Sequence, residues 1–114
     1  MWQAKKLSQA RTYAQKAISF NENYGEPYIL LAQMYGSNPN WSDEPALNRC
    51  TYYVVIDKLQ RAKAVDPSVT DKVNELIATY ARHTPQAKDL FMLGYKAGDR
   101  ITIGGWIGES TTIR

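Results

Sequence analysis

Apolar residues recur at helical spacing in two stretches of the chain. In the first they fall at Ala10, Ala14, Ala17 and Phe20, give way to polar Asn21-Glu22-Asn23, and resume at Tyr28, Leu31, Ala32 and Tyr35. In the second they fall at Val55, Leu59, Ala62 and Val65, break at Asp66-Pro67-Ser68, and resume at Val73, Leu76, Ile77 and Tyr80. Steps of three and four residues gather such positions on one side of a helix. Each stretch therefore predicts a helix, a tight corner and a second helix. Pro27 and Pro67 suit the first turn of the helices that follow, where a missing N–H costs nothing.

The two stretches superpose without a gap: residues 14–35 overlie residues 59–80 at a constant offset of 45. Gln15/Gln60, Ala17/Ala62, Leu31/Leu76 and Tyr35/Tyr80 are identical, and Asn21/Asp66, Glu26/Asp71 and Lys16/Arg61 keep their chemical type. Small Ala17 and Ala62 stand where helix backbones must approach closely, with Tyr and Leu filling the space beside them. An internal repeat is thus the main organising feature.

Between the copies, residues 36–45 are rich in Gly, Pro, Ser and Asn and read as a loop insertion carrying one large aromatic, Trp41. Such a residue either anchors a partner or packs its own loop down. After Thr84-Pro85 the pattern changes. Residues 87–93 can form a short helix, and Ile101 and Ile103 alternate with polar neighbours in a segment rich in strand formers. A β-hairpin follows, with its turn at Gly104-Gly105 or at Gly108-Glu109; a two-stranded hairpin is marginal alone and must pack on the helices. The chain thus divides into helical repeats over residues 1–85 and a C-terminal helix and hairpin over residues 86–114.

The segment Tyr28-x2-Leu31-Ala32-x2-Tyr35, with Val55-x3-Leu59-x2-Ala62-x4-Pro67, resembles the tetratricopeptide repeat, with Ala32 in place of the family's Gly. That resemblance covers roughly residues 4–82. It implies a mainly α fold of antiparallel helix pairs, a fragment of an α-solenoid, closed by the small hairpin. Family repeats are about 34 residues long, so the longer offset here places the surplus in the insertion. In this register residues 4–20 match a second helix whose partnering first helix is missing, which implies the C-terminal part of a longer array, or a partner or second copy on the exposed N-terminal repeat face. The Gly104-Gly105-Trp106-Ile107 ending is similar to the C-terminal ends of uncharacterised tetratricopeptide-repeat proteins from Bacteroides-like bacteria, which implies a periplasmic or envelope setting.

The function implied by the family is a protein-interaction scaffold that binds a peptide or partner protein along the concave face. The family's pattern places Glu26, Ile29 and Gln33 of one repeat, and Asp71, Asn74 and Ala78 of the other, on that face. Trp41 is a further candidate contact. Family members that bind peptide carboxylates carry Lys, Arg and Asn there, and Asn74 alone fits, so an acidic peptide terminus is disfavoured.

Composition narrows the alternatives. Fourteen Lys and Arg against eleven Asp and Glu give +3, a weak excess for a nucleic-acid clamp, and Lys5, Lys6, Arg11 and Lys16 read as a solvated helix face. Cys50 is the single cysteine and His83 the single histidine, so no multi-Cys or multi-His metal set and no cofactor is expected. His83 reads as a helix-end residue before Thr84-Pro85. Asp43, Glu44, Asp57, Glu75, Asp99 and Glu109 show no spacing that pairs two carboxylates across one site, and no catalytic residue is assigned. No apolar run approaches the ~20 residues of a bilayer span, and Met1–Leu7 does not lead into the apolar stretch of a signal peptide. The alternative reading is an accessory domain of an enzyme or a weak nucleic-acid-binding module.

Overall fold

The computed structural model describes residues 4–37, 40–105 and 107–114, with side chains from residue 9 onward. It is mainly helical with a small antiparallel sheet at its C-terminal end. The helices are α1 (Ala4–Phe20), α2 (Glu26–Ser37), α3 (Pro45–Arg49), α4 (Thr51–Val65), α5 (Thr70–Ala81) and α6 (Ala87–Met92), and the strands are β1 (Arg100–Ile103) and β2 (Glu109–Thr112). A short 3-10 turn over Pro67–Val69 leads into α5.

The helices pack in the order α1 on α2, α2 on α4 and α4 on α5. Their apolar stripes meet in one core. Leu31, Ala32 and Tyr35 from α2 lie against Val55, Leu59 and Ala62 from α4, all at 1% exposure or less. Ala32 and Ala62 retain no exposed surface, as expected where small side chains let helix axes close up.

Both corners are built alike. Asn21 N–H donates to the Ala17 carbonyl, Tyr24 N–H to the Asn21 carbonyl, and Asn23 N–H to Asn21 Oδ1. Forty-five residues on, Asp66 N–H donates to Ala62, Val69 N–H to Asp66, and Ser68 N–H to Asp66 Oδ1. The side-chain bond is an Asx turn, a local alternative to continuing the helix, and it explains why Asn or Asp stands where each helix stops. The Ser68 hydroxyl and the Gly25 N–H, both bonded to the Asp66 carboxylate, hold that carboxyl below its ordinary range.

Gly25 brings the corners together. A β carbon there would stand 2.9 Å from Val69 Cγ2, 3.0 Å from Asp66 Cβ and 3.1 Å from the Ala62 carbonyl oxygen, so no larger residue fits without displacement.

Three expectations need correction. The insertion is not loop throughout: α2 runs on through Gly36 to Ser37, whose hydroxyl bonds the Gln33 carbonyl, and Pro45 opens α3 at a position where its missing N–H is harmless. Phe20, counted in the first apolar stripe, is 90% exposed, because among the described residues no element covers that side of α1. The hairpin turn is neither Gly104-Gly105 nor Gly108-Glu109 alone but the connection from Ile103 to Glu109, with Gly105 at φ 66° and Gly108 at φ 59°. Side chains rarely adopt that left-handed backbone, which is why glycines recur across this loop. His83 stands just past the C-cap of α5, at the helix end, its N–H bonded to the Tyr80 carbonyl and its ring beside Tyr52.

The hairpin packs on α4 through β2. Arg100 pairs with Thr112 and Ile103 with Glu109, and the register turns Ile101, Ile103 and Thr111 inward. Thr111 donates to Asp57 of α4 at 2.7 Å, and Arg114 pairs with Asp57 while lying over the Tyr53 ring. Trp106 lies outside the described residues.

Candidate functional site

A groove of about 360 Å³ runs between α1 and α2, beside the first corner. Its α1 wall is Tyr13, Ala14 and Ala17, its end is Tyr24, and its α2 wall carries Glu26, Pro27, Ile29, Leu30 and Gln33. Tyr13 is 79% exposed, Tyr24 48% and Leu30 42%. Large apolar side chains left in water around one depression are the usual mark of a surface that meets another molecule. Among the described residues Glu26 is the one charged residue of the lining, and it faces Lys72 of α5 at 3.4 Å.

The structure divides the six residues assigned to the concave face. Glu26, Ile29 and Gln33 all line the groove, although Ile29 is buried in its floor. Asp71, Asn74 and Ala78 are exposed on α5 and do not join it; Asn74 accepts a hydrogen bond from Lys63 at 3.1 Å. Tyr13, Tyr24 and Leu30 complete the groove and were not among the expected residues. Their signal was available: each is a large apolar residue standing off the core-facing stripe, where burial in the chain's own core does not account for it.

Trp41 turns inward. Its ring lies against Gly104, where a β carbon would be 3.1 Å from Trp41 Cε3, and its indole N–H donates to the Leu47 carbonyl at 3.1 Å. Asn48 Oδ1 accepts from the backbone N–H groups of Trp41 and Ser42, which ties the insertion to α3. Trp41 remains half-buried, and its inner side fastens the insertion to the hairpin loop.

The same α1–α2 pair is locked to the hairpin by a polar cluster. The Tyr35 hydroxyl accepts from Arg11 Nε at 2.9 Å and donates to Glu109 Oε2 at 2.5 Å, and Lys58 Nζ lies 2.7 Å from Glu109 Oε1. Four elements, α1, α2, α4 and β2, meet there. Burial pushes the Tyr35 hydroxyl far above its ordinary range, and the Glu109 carboxylate adds to the effect. Arg11 is therefore a half-buried fastener and not part of a solvated basic face.

A second hollow, of about 450 Å³, lies between α6 and the end of the hairpin, over Leu90 and Ile113 with Phe91 and Met92 at its rim. Cys50 is buried in the core, which pushes its thiol up to about 11. Among the described residues, no group of three or more His, Cys, Asp or Glu side chains could hold a metal ion, and no helix is long and apolar enough to cross a membrane. Comparison of the chain with protein-family models, with curated proteins and with solved structures finds no match.

Proposed function

We propose that the chain is a protein-interaction module of the tetratricopeptide-repeat type, which receives a peptide or a partner protein on the groove between α1 and α2. The groove itself carries the reading: exposed Tyr13, Tyr24 and Leu30 surround an apolar floor with a single carboxylate at its rim. The recurrence at an offset of 45 residues of the first helix's last residue, Phe20 and Val65, and of all three corner hydrogen bonds supports the repeat architecture. A surface of this kind binds through a few aromatic and aliphatic anchors and needs no reacting group.

Selection of a displayed random-peptide library on the immobilised chain tests the proposal. The expected result is enrichment of peptides whose binding is lost with Leu30→Glu or Tyr13→Ala and kept with Phe91→Ser in the distant hollow. These side chains are exposed, so the variants keep the native far-UV circular dichroism. No enrichment, or binders indifferent to Leu30 and Tyr13, would overturn it.

A further inference from the structure

The two corners differ in their cover: a helix lies across the second, and among the described residues none lies across the first. The N-terminal end of α2 crosses the α4–α5 corner, where Gly25 N–H donates to Asp66 Oδ2 at 2.9 Å. The Gly25 backbone sits against Val69 and the Ala62 carbonyl, and Glu26 pairs with Lys72. Stepping back 45 residues turns Ala62, Val69 and Lys72 into Ala17, Tyr24 and Pro27. All three line the groove. Because the corners share their hydrogen bonds, the first presents, in the same relative places, the surface on which the second holds a helix.

We infer that the groove is the seat of a short amphipathic helix from a partner polypeptide, lying across the α1–α2 corner as α2 lies across the α4–α5 corner. This rests on the interaction reading above and adds the shape and chemistry of the occupant. The length follows from the far end of the seat. In the second copy the seat continues to Tyr80, whose ring packs against Gly36 near the C-terminus of α2. Its counterpart, Tyr35, has no exposed surface, and its hydroxyl is held by Arg11 and Glu109. The first seat is therefore closed where the second is open. A helix of roughly two turns fits, at about 5.4 Å per turn, and a full helix of a stacked repeat does not.

Side-chain chemistry follows from the substitutions between copies. Leu59 in the second copy corresponds to Ala14 in the first, so the wall is cut back and a hollow opens. Interiors pack to near-crystalline density, and a Leu or Phe of the incoming helix supplies the missing volume. Asp66 corresponds to Asn21, whose side-chain oxygen already accepts from Asn23 N–H. The occupant's first turn then lacks the carboxylate that Gly25 enjoys, and apolar contact carries the affinity. Glu26 at the rim selects for a Lys or Arg on the helix flank.

The probe is a fluorescein-labelled, lactam-bridged peptide copying residues 23–34, the sequence that already occupies such a seat, with Glu26→Lys to match the carboxylate at the rim, followed by anisotropy and by amide chemical shifts of the whole chain. The expected result is saturable binding that weakens at least about tenfold for the Leu30→Glu and Tyr13→Ala proteins and for an unbridged peptide carrying Leu31→Pro, since proline breaks the helix. Equal binding of the proline peptide would overturn the helical seat while leaving the interaction reading standing. No saturable binding would also overturn it, and the library selection would then decide the interaction reading separately. Shift changes centred on Phe91 and Met92, or changes reaching Tyr35 and Arg11, would assign the peptide to another surface or to a full-length stacked helix, and either result would refute the inference.

Discussion

Removing one oxygen atom, by Tyr35→Phe, tests whether the hairpin and the first helix are held to the rest of the fold by a shared polar knot. The hydroxyl lies on a fully buried residue, accepts from a guanidinium and donates to a carboxylate. Hydrogen bonds to charged partners each contribute about 1.5–3 kcal/mol. The loss here falls below the combined range of about 3–6 kcal/mol, because Arg11 and Glu109 keep 26% and 22% of their side-chain surface in water and Glu109 retains Lys58. A cost of about 2 kcal/mol results. Unfolding entropies near 2.1 cal/mol/K per residue make that about 8 °C in Tm for a chain of this length. Thermal unfolding at neutral pH, followed by far-UV circular dichroism, measures it, with Tyr13→Phe at an exposed position as the control. A shift below about 2 °C, indistinguishable from the control, would refute the reasoning. Alkaline titration gives an independent check. The folded state raises the pKa of Tyr35, so its contribution is intact below the ordinary tyrosine value of about 10 and is lost as pH rises above it. The wild-type chain should lose stability above pH ~10 more steeply than Tyr35→Phe.

Three further outcomes are expected. Gly25→Ala puts a carbon against Val69, Asp66 and the Ala62 carbonyl at once, and overpacking of this kind costs about 1–3 kcal/mol, readable as a lowered urea midpoint. Trp41→Ala removes the ring from Gly104 and the indole bond to Leu47, so the segment 40–44 should become a site of rapid limited proteolysis while the helical signal of α1, α2, α4 and α5 persists; unchanged cleavage would contradict the inward packing. Cys50, buried and with its thiol at about 11, should react with a thiol-specific disulfide reagent at pH 8 only at the rate of unfolding, a rate that denaturant accelerates.

Much of the helical part was legible in the sequence because its causes are local. The stripes of α2 and α4 announce their buried faces, the Asn21 and Asp66 corners announce their Asx turns, and the 45-residue offset survives in the hydrogen bonds. Gly36 misled because a glycine beside Ser, Asn and Pro reads as a breaker, whereas here it stays helical against the Tyr80 ring. Half of the concave-face assignment reached the groove, through Glu26, Ile29 and Gln33, since a helical register transfers along α2. The other half did not, because α5 presents Asp71, Asn74 and Ala78 to water.

That α1, α2, α4 and α5 are helices and that Asn21 and Asp66 turn the chain were determined by the sequence alone, since periodicity and turn chemistry act over a few residues. Which neighbour covers each face was decided only by the tertiary structure. The bond from Tyr35 to Glu109 spans 74 residues, and the one from Arg114 to Asp57 spans 57; no spacing rule foretells them. The same holds for Trp41 against Gly104 and for the uncovered flank of α1 beside Tyr13 and Leu30. An apolar residue records that it prefers to leave water, and only the packed chain shows whether its own core has met that preference or left it for another molecule.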